Sequence, residues 1–398
     1  MKSALFFLLI IFSCFPYISI LQIHTDSQPN ALICGVLIFF FYIGKIRGKT
    51  PQTLMFLCII AFILLLFSGL SFNALRSFAN YLSLFFITIA SYHVIRRMSG
   101  FKIEVYKAVV MIWFFVGTVQ VFIAPDFLSF LLPRGDSVAT TQTGRGVVCL
   151  APEPTHYGLI CILLFLLGFI NWRFDKNVRF CYLLLFTQVF VYARSSLAIL
   201  IVILTAVTVG LYMAFTDKRN RVKTVLIMTT VSMIFVSGIY IGYQELQSFR
   251  VGVLLKNLID DPLSIVTLDA SVNERFIHII VSIKGFLDNF MLPHGFDNFA
   301  PYYKEFLKQY WNYINDYTFN QESVTRIQSG WGAALYEMGI FVILIINVIF
   351  STIASVLKGA DKILVSVILF LVFFNAFPLS TPIVSLIIGN LLYLKELK

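Results

Sequence analysis

The sequence predicts an all-α polytopic integral membrane protein, and two observations support this fold class. Hydrophobic residues make up 59% of the 398 residues and charged residues only 13%, whereas soluble domains are roughly half apolar and about a quarter charged. Apolar stretches of about 20 residues recur along the chain, and a helix of about this length crosses a hydrocarbon layer of about 30 Å. We therefore expect most of the chain to lie in a membrane.

About 12 such stretches divide the chain into two membrane regions and one long polar segment. We expect nine spans in residues 1–242, a large extracytoplasmic loop with amphipathic helices in residues 243–330, and three spans in residues 331–398. The predicted spans cover residues 3–21, 31–44, 51–70, 78–95, 105–124, 154–171, 178–193, 195–215, 224–242, 331–354, 363–377 and 382–394.

Each end of the chain admits a second interpretation. The first stretch could be a cleaved signal peptide, but no small-x-small site follows the apolar run from Ala4 to Phe12, so we expect it to remain as a helix. The last two stretches are short and flank the break from Phe377 to Pro382. A single kinked span is therefore the alternative to two helices there, and it would place the C-terminus outside.

Basic residues predict the orientation of the spans. With the N-terminus inside, most of the 30 Lys and Arg residues fall in inner loops or at the adjoining span ends, as the positive-inside rule requires. We therefore expect both termini to be cytoplasmic and the 243–330 loop to lie outside. The net charge of +10 is then a topology signal, and we expect no nucleic-acid partner because no basic stripe is interleaved with aromatics on a soluble face.

Cysteine and acidic residues give no sign of a disulfide framework, a metal or a cofactor. Five of the six Cys residues fall within predicted spans, and only Cys149 would lie outside. No C-x-x-C or Cys/His spacing suggests a structural metal. Asp260 and Asp261 are adjacent and would diverge if extended, and His24-x-Asp26 is most simply an incidental loop pair.

The densest polar group lies before the sixth span, from Gly144 to Gly158. Pro154 suits the first turn of a helix, which places Glu153 at the N-terminal end of that helix. Glu153 and His156 are three residues apart and would point the same way, offering two proton-transfer groups beside the cationic Arg145. The simpler explanation for Glu153 is that a carboxylate there complements the helix dipole.

Arg194 follows the seventh span with almost no connecting loop before the eighth. Arginines are costly in a bilayer and tend to face cavities or partners, so Arg194 is a candidate binding residue. The alternative is that it extends to the membrane interface without a specific ligand.

The long loop contains Ser271-Val272-Asn273-Glu274, a capping-box pattern that predicts the start of a helix at Ser271. The pattern that follows predicts an amphipathic helix that lies on the membrane or packs over the spans. If the helix faces a substrate, Arg275 and His278 are candidate site residues; otherwise their face is simply solvated. We expect the apolar face to hold Phe276, Ile280, Ile283 and Leu287, and the polar face to hold Arg275, His278 and Ser282.

A turn-rich string follows from Leu292 to Phe299, and it contains His294, another candidate for substrate binding. Beyond it the loop is rich in aromatic residues. Aromatic faces suit both sugar stacking and the membrane interface.

Five short motifs, taken in their order along the chain, resemble the O-antigen polymerase and ligase superfamily from about Arg76 to about Gly339. Ligases of this superfamily tend to carry a His-Asn pair before the returning span, where this chain has Gln328-Ser329, and this difference favours the polymerase. The motifs are R-G-x-x-x-x-x-x-E-P-x-x-x-G from Arg145, A-R-S-S from Ala193, N-E-R from Asn273, H-G-F-x-N-F from His294, and G-W-x-x-x-L-x-E-x-G from Gly330.

The resemblance implies a GT-C-like glycosyltransferase in the bacterial inner membrane, with the large loop in the periplasm. Such a polymerase transfers a growing glycan from undecaprenyl pyrophosphate to a sugar hydroxyl of a new lipid-linked repeat unit. Its partners would be that lipid-linked oligosaccharide and membrane lipid, with a chain-length regulator and a flippase as further candidates. A ligase of the same superfamily is the alternative. A flippase or transporter is a more distant one, because the central parts of the spans hold almost no ionisable residues.

The pyrophosphate leaving group accumulates negative charge, which either a metal or arginines must stabilise. Because guanidinium groups bind phosphate oxygens bidentately and stay charged, the sequence favours a metal-independent inverting transfer. The base for the acceptor hydroxyl is Glu153, His156 or His278, and the sequence does not distinguish them. The arginines expected on the outer side are Arg76, Arg145, Arg194, Arg275 and Arg326.

Overall fold

The computed structural model describes residues 2–20, 27–45, 48–133, 141, 145–216, 270–310, 327–375 and 377–398, together with isolated residues between 221 and 233. This part of the chain is helical and contains no strand, and six of its helices are long and apolar enough to cross a membrane. The prediction of an all-α membrane protein is therefore confirmed.

A helix covers most of each predicted span that the structure describes. Most of the ninth predicted span, 224–242, lies outside the described residues, as do residues 243–269 and 311–326 of the loop. The helices are α1 (Lys2–Cys14), α2 (Asn30–Tyr42), α3 (Lys49–Ser68), α4 (Phe72–Arg97), α5 (Ile103–Phe122), α6 (Pro154–Trp172), α7 (Lys176–Thr187, continued by a π-helical turn Gln188–Ala193), α8 (Ser196–Thr216), α9 (Ala270–Asp288), α10 (Phe299–Gln309), α11 (Gly330–Met338), α12 (Val342–Val356), α13 (Gly359–Asn375) and α14 (Pro382–Glu396).

Two predicted boundaries were wrong for identifiable reasons. Helix α1 ends at Cys14 rather than near residue 21, because Pro16 lacks the amide hydrogen that a continuing helix needs. Helix α4 begins at Phe72 rather than 78, because the Ser71 side chain accepts a hydrogen bond from the Ala74 amide and caps the helix there.

The centre of the bundle is built from α4, α6 and α14, which have more buried residues than the peripheral helices. Helix α14 packs along α4. Gly389 makes this close approach possible, because a Cβ atom there would lie 2.7 Å from the Thr88 carbonyl oxygen. Small residues at such contacts are typical of packed membrane helices.

The last two helices form a hairpin around residues 377–381. The Lys398 ammonium donates to the Val356 carbonyl at the end of α12, so the chain returns to the end of the bundle from which α13 starts. The same end carries the ion pairs Arg96–Glu396 and Arg173–Asp361. These four residues come from segments predicted to face the cytoplasm.

Helices α9, α10 and α11 share a second, smaller hydrophobic core at the opposite end of the bundle. It contains Ile277 and Val281 of α9, Phe299 and Tyr303 of α10, and Tyr336 of α11. The turn after α9 attaches this outer module to the bundle. There the Ser68 hydroxyl accepts from the Phe296 amide, and Ser71 donates to the Asp297 carboxylate at 2.6 Å.

The faces of α9 differ from the sequence prediction. Phe276, Ile283 and Leu287 of the predicted apolar face are exposed, whereas His278 and Ser282 of the predicted polar face are buried. Ser282 can be buried on the packed face because its hydroxyl donates a hydrogen bond to the His278 carbonyl within the helix, at 2.7 Å. A helix is present where the capping-box pattern predicts its start, and it is described from Ala270 onward.

Candidate functional site

Glu153 is the centre of a polar cluster at the outer-module end of the bundle. It occupies the N-cap position of α6, with Pro154 in the first turn as predicted, but its side chain makes no capping hydrogen bond. Its Oε2 atom lies 4.0 Å from Nδ1 of His156 and 3.7 Å from Nη2 of Arg275. The structure thus brings together three of the predicted site residues, two from the start of α6 and one from α9.

Exposure distinguishes the members of this cluster. The Glu153 side chain is 30% exposed, Arg275 is 18% exposed and His156 is 9% exposed. The His156 ring packs edge-on against Tyr17 at 5.7 Å and lies 5.4 Å from the Phe377 ring. Its position is therefore fixed by the segments that follow α1 and α13, and Glu153 is the proton-transfer group most open to a substrate.

The extended segment before Glu153 is packed inside the bundle. Residues 147–151 are almost fully buried, and Cys149, the cysteine that lies outside the predicted spans, is packed in the core. The Gln120 side chain pairs with the Cys149 backbone, accepting from its amide at 2.7 Å and donating to its carbonyl at 3.1 Å. This pairing satisfies backbone groups that would otherwise be buried without partners.

The same segment brings Arg145 next to Arg194. The backbone of Gly146 packs directly on the backbone of Tyr192 and Ala193, and the Val147 amide donates to the Tyr192 carbonyl at 3.0 Å. Arg145 and Arg194 flank this contact on the two chain segments. Two cations that are far apart in sequence are thereby placed on neighbouring backbone.

Arg194 ends the π-helical turn in a left-handed conformation, with φ +45°. Its Nε atom donates to the Val191 carbonyl at 3.0 Å, and the residue is exposed. A left-handed conformation is uncommon for a residue other than Gly and is characteristic of functional turns as well as of helix ends.

His278 is buried beneath the surface cluster, with 1% of the residue exposed. Its Nδ1 atom accepts a hydrogen bond from the backbone amide of Gln328 at 3.1 Å, and its ring packs against Phe299 and Tyr303. Since Nδ1 is an acceptor, the neutral ring carries its proton on Nε2. His278 is therefore less suited than Glu153 to receive a proton from a substrate.

The surroundings of His278 are polar as well as aromatic. The Gln328 side-chain amide donates to the Glu274 carboxylate. Burial, with a smaller contribution from the Glu274 charge, raises the pKa of Tyr303 above its usual range. Glu274 and His278 lie within about one turn of α9 on either side of Arg275. Together with Gln328 they form a second polar layer next to Arg275.

His294 is not part of the Glu153 cluster. Its Nε2 atom lies 2.8 Å from the Gly285 carbonyl, and its ring stacks on Tyr336 with centroids 4.2 Å apart. These contacts join the C-terminal half of α9 to α11. Gly285 is ten residues, or about 15 Å of helix, beyond Arg275.

Glu337 is a buried carboxylate that the sequence indicated only as part of the returning-span motif. It accepts from the Tyr81 hydroxyl at 2.7 Å and also from Ser77. Arg76, a predicted site residue in the same helix α4, is close enough to interact with it electrostatically. Arg76 is therefore associated with Glu337, and Arg326 lies outside the described residues.

An apolar cavity of about 190 Å³ lies between α6, α7, α8 and α13, with Phe165, Val189, Thr205 and Ile368 among its lining residues. Apolar cavities of roughly 150 Å³ hold a benzene-sized molecule. This cavity therefore has room for a short length of hydrocarbon chain.

Within the described residues, no three His, Cys, Asp or Glu side chains are grouped closely enough to hold a metal ion. The candidate pairs His24/Asp26 and Asp260/Asp261 lie outside those residues. Comparison with known protein families finds no model that matches the chain, and comparison with curated proteins finds no significant match.

Proposed function

We propose that this protein transfers a glycan from a polyprenyl pyrophosphate carrier to a sugar hydroxyl at the outer membrane surface, as an O-antigen polymerase does. The observation that carries the proposal is the position of Glu153, whose carboxylate lies 3.7 Å from Arg275 and 4.0 Å from His156 at the outer-module end of the bundle. A partly exposed carboxylate held by a histidine and an arginine suits proton abstraction beside an anionic ligand.

In the proposed step, the oxygen of the acceptor hydroxyl attacks the anomeric carbon of the donor glycan. A new carbon–oxygen bond forms there, and the bond from the same carbon to the pyrophosphate oxygen breaks. The electron pair leaves with the polyprenyl pyrophosphate, and Glu153 takes the hydroxyl proton. Attack from the side opposite to the leaving group inverts the anomeric centre.

Arginines would stabilise the charge on the leaving group. The backbone contact at Gly146 supports this role for Arg145 and Arg194, because it holds both residues at one place near the start of α6. Guanidinium forks match phosphate oxygens and remain charged in a low-dielectric site. Arg275 would contribute from α9 while also orienting Glu153.

The apolar cavity supports a lipid-linked donor. Val189 of the π-helical turn lines the cavity, and Arg194 lies five residues further along the same turn. A lipid whose phosphates contact Arg194 could therefore place part of its hydrocarbon chain between α7 and α8. No soluble sugar donor would make use of that cavity.

One observation favours a ligase as the second candidate. Gln328 occupies the place where ligases of the superfamily that this chain resembles carry a histidine. The backbone amide of Gln328 donates a hydrogen bond to His278. This chain therefore has an imidazole beside that place, although it comes from α9. A ligase would join a finished glycan to a lipid acceptor by the same displacement.

The surface glycan of a strain that lacks this chain separates the candidates. If the protein is the polymerase, the lipid core should carry a single repeat unit in the deletion strain, and long chains should return with the wild-type gene. A bare lipid core would instead indicate loss of a ligase or a flippase. An unchanged long-chain distribution would refute both transferase proposals.

A further inference from the structure

The outer face of α9 and the turn after it form a continuous apolar surface, which we call the α9 apolar face. Phe276, Ile283 and Leu287 are exposed on the helix, and the next exposed large apolar residues are in the turn. The turn residues are Phe290, 87% exposed, Met291, 46% exposed, and Leu292, 57% exposed. Six large apolar side chains in one surface are unusual for a segment surrounded by water.

This surface is continuous with a helix that qualifies as a membrane span. The Ile340 amide donates to the Met291 carbonyl at 2.8 Å, and residues Gly330–Val356 form a candidate span. Ile340 and Ile343 are themselves exposed. An exposed apolar side of a spanning helix contacts lipid, and Met291 lies beside it in direct backbone contact.

Helix geometry gives the depth of this contact. Val356 lies at the end of the bundle with the basic loops, and Ile340 is 16 residues earlier, or about 24 Å along the helix. The hydrocarbon layer is about 30 Å thick. If Val356 marks the inner edge, Ile340 and Met291 lie about 6 Å inside the outer edge.

The backbone hydrogen bonds of the turn are also suited to a place without water. The amides of Phe290, Met291 and Leu292 all donate to carbonyls within the turn or the end of α9. The Leu292 carbonyl accepts from the Asn289 side chain at 3.1 Å, and the Met291 carbonyl accepts from Ile340. Backbone groups in hydrocarbon must be satisfied internally, whereas those of a solvated turn need not be.

A polar edge runs beside the apolar face. Lys284 and Asp288 form an ion pair at 2.7 Å, and the Tyr302 hydroxyl donates to Asp288 at 2.6 Å. The hydrogen bond from Lys284 holds the pKa of Asp288 below its usual range. Charged and tyrosine side chains in such a row are typical of the boundary between hydrocarbon and headgroups.

We propose that the α9 apolar face is inserted into the outer leaflet of the bilayer at its turn end, so that lipid acyl chains cover Leu287 to Leu292. Helix α9 then rises from the hydrocarbon edge at Leu287 to the surface cluster at Arg275. The segment 287–292 is then a membrane-embedded part of the predicted polar loop. This proposal holds whatever reaction the protein catalyses.

Fluorescence quenching tests the insertion. A Phe290→Cys variant carries a nitrobenzoxadiazole label in a chain whose Cys58, the one cysteine of the six that is not buried, is replaced by Ala. The protein is reconstituted in vesicles of phosphatidylethanolamine and phosphatidylglycerol. We expect loss of fluorescence with lipids that carry a doxyl group at carbon 5 of the acyl chain, and protection from aqueous iodide.

Lys304→Cys on the exposed side of α10 is the matched control, with the opposite response expected. Leu287→Cys gives a second reading on the α9 apolar face if Phe290→Cys does not fold. Iodide quenching at 290 or 287 equal to that at 304 would mean that water covers the face, and it would overturn the proposal. Resistance to both quenchers would overturn it as well, in favour of a protein partner or a second copy.

Discussion

The Nη2 atom of Arg275 lies 3.7 Å from the Oε2 atom of Glu153. Glu153 begins α6 in the first membrane region, whereas Arg275 lies in the first turns of α9 in the outer module. The contact therefore forms only when the outer module has docked on the bundle. If Glu153 is the catalytic base, the docked module completes the site.

Replacing Glu153 by Gln preserves the side-chain size and removes the proton acceptor. A positioned base typically contributes about 10²- to 10⁴-fold to a rate. We therefore expect the rate of glycan extension by the purified variant to decrease by a factor in that range. Glu305→Gln, at an exposed carboxylate of α10, is the control and should extend chains normally. Near-normal extension by Glu153→Gln would exclude this residue as the base.

Arg145→Lys and Arg194→Lys keep the charge but remove the planar fork. A charge-assisted hydrogen bond contributes about 1.5 to 3 kcal/mol, so each variant should lose about tenfold or more in activity. Arg97→Lys, at the opposite end of the bundle, should be neutral. The measurement is the length distribution of the cell-surface glycan at equal membrane abundance.

The two arginine variants also test the alternative role. Lysine extends to a membrane interface as well as arginine does, so normal long chains from both variants would mean that the arginines only reach the interface. Arg275 and Arg326 would then become the candidates for pyrophosphate binding.

The helices and one part of the site were predictable because their signals are local. An apolar run of sufficient length specifies a span, and the spacing of three residues alone places Glu153 and His156 on one side of a helix. The contacts of Gly146 with Tyr192 could not be predicted, because nothing local records which backbone approaches a glycine.

The faces of α9 show why periodicity alone was insufficient. In water an apolar side is the buried side, but the exposed side of α9 is the more apolar one, and the inner side mixes Ile277 and Val281 with His278 and Ser282. The apolar periodicity of the sequence is the same whether the apolar side of the helix is packed or exposed. Only the partners of the helix, here α10 and α11, decide which side is packed.

Reporter fusions test the predicted orientation. With both termini in the cytoplasm, a reporter active only there should be active when fused after Lys398 and inactive when fused near Asn312. The expectation rests on the basic inner loops and on the return of Lys398 to the end of the bundle that carries Arg173 and Asp361. Activity at both positions would overturn this topology.

Chelation tests the proposal that arginines rather than a metal balance the pyrophosphate. Because guanidinium groups supply the positive charge in this scheme, polymerisation by purified protein should continue in excess EDTA. If activity is lost and magnesium or manganese restores it, a metal takes part, and His24, Asp26, Asp260 and Asp261 are the residues to replace next.

Gly146→Ala tests whether the position of Arg145 beside Arg194 matters. A Cβ atom at Gly146 would collide with the carbonyl oxygen of Tyr192 and the backbone of Ala193, so the two segments must separate. Overpacking of this kind costs about 1 to 3 kcal/mol, and we expect both a lower thermal midpoint in detergent and shorter glycans. Gly44→Ala is the matched control, because a Cβ atom there would have no neighbour within 4 Å.

The glycan measurement is made well below the unfolding temperature of Gly146→Ala and at equal folded amounts, which separates loss of activity from loss of protein. A variant that is less stable but still makes long chains would show that the contact supports folding only, and that Arg145 and Arg194 need not be held together.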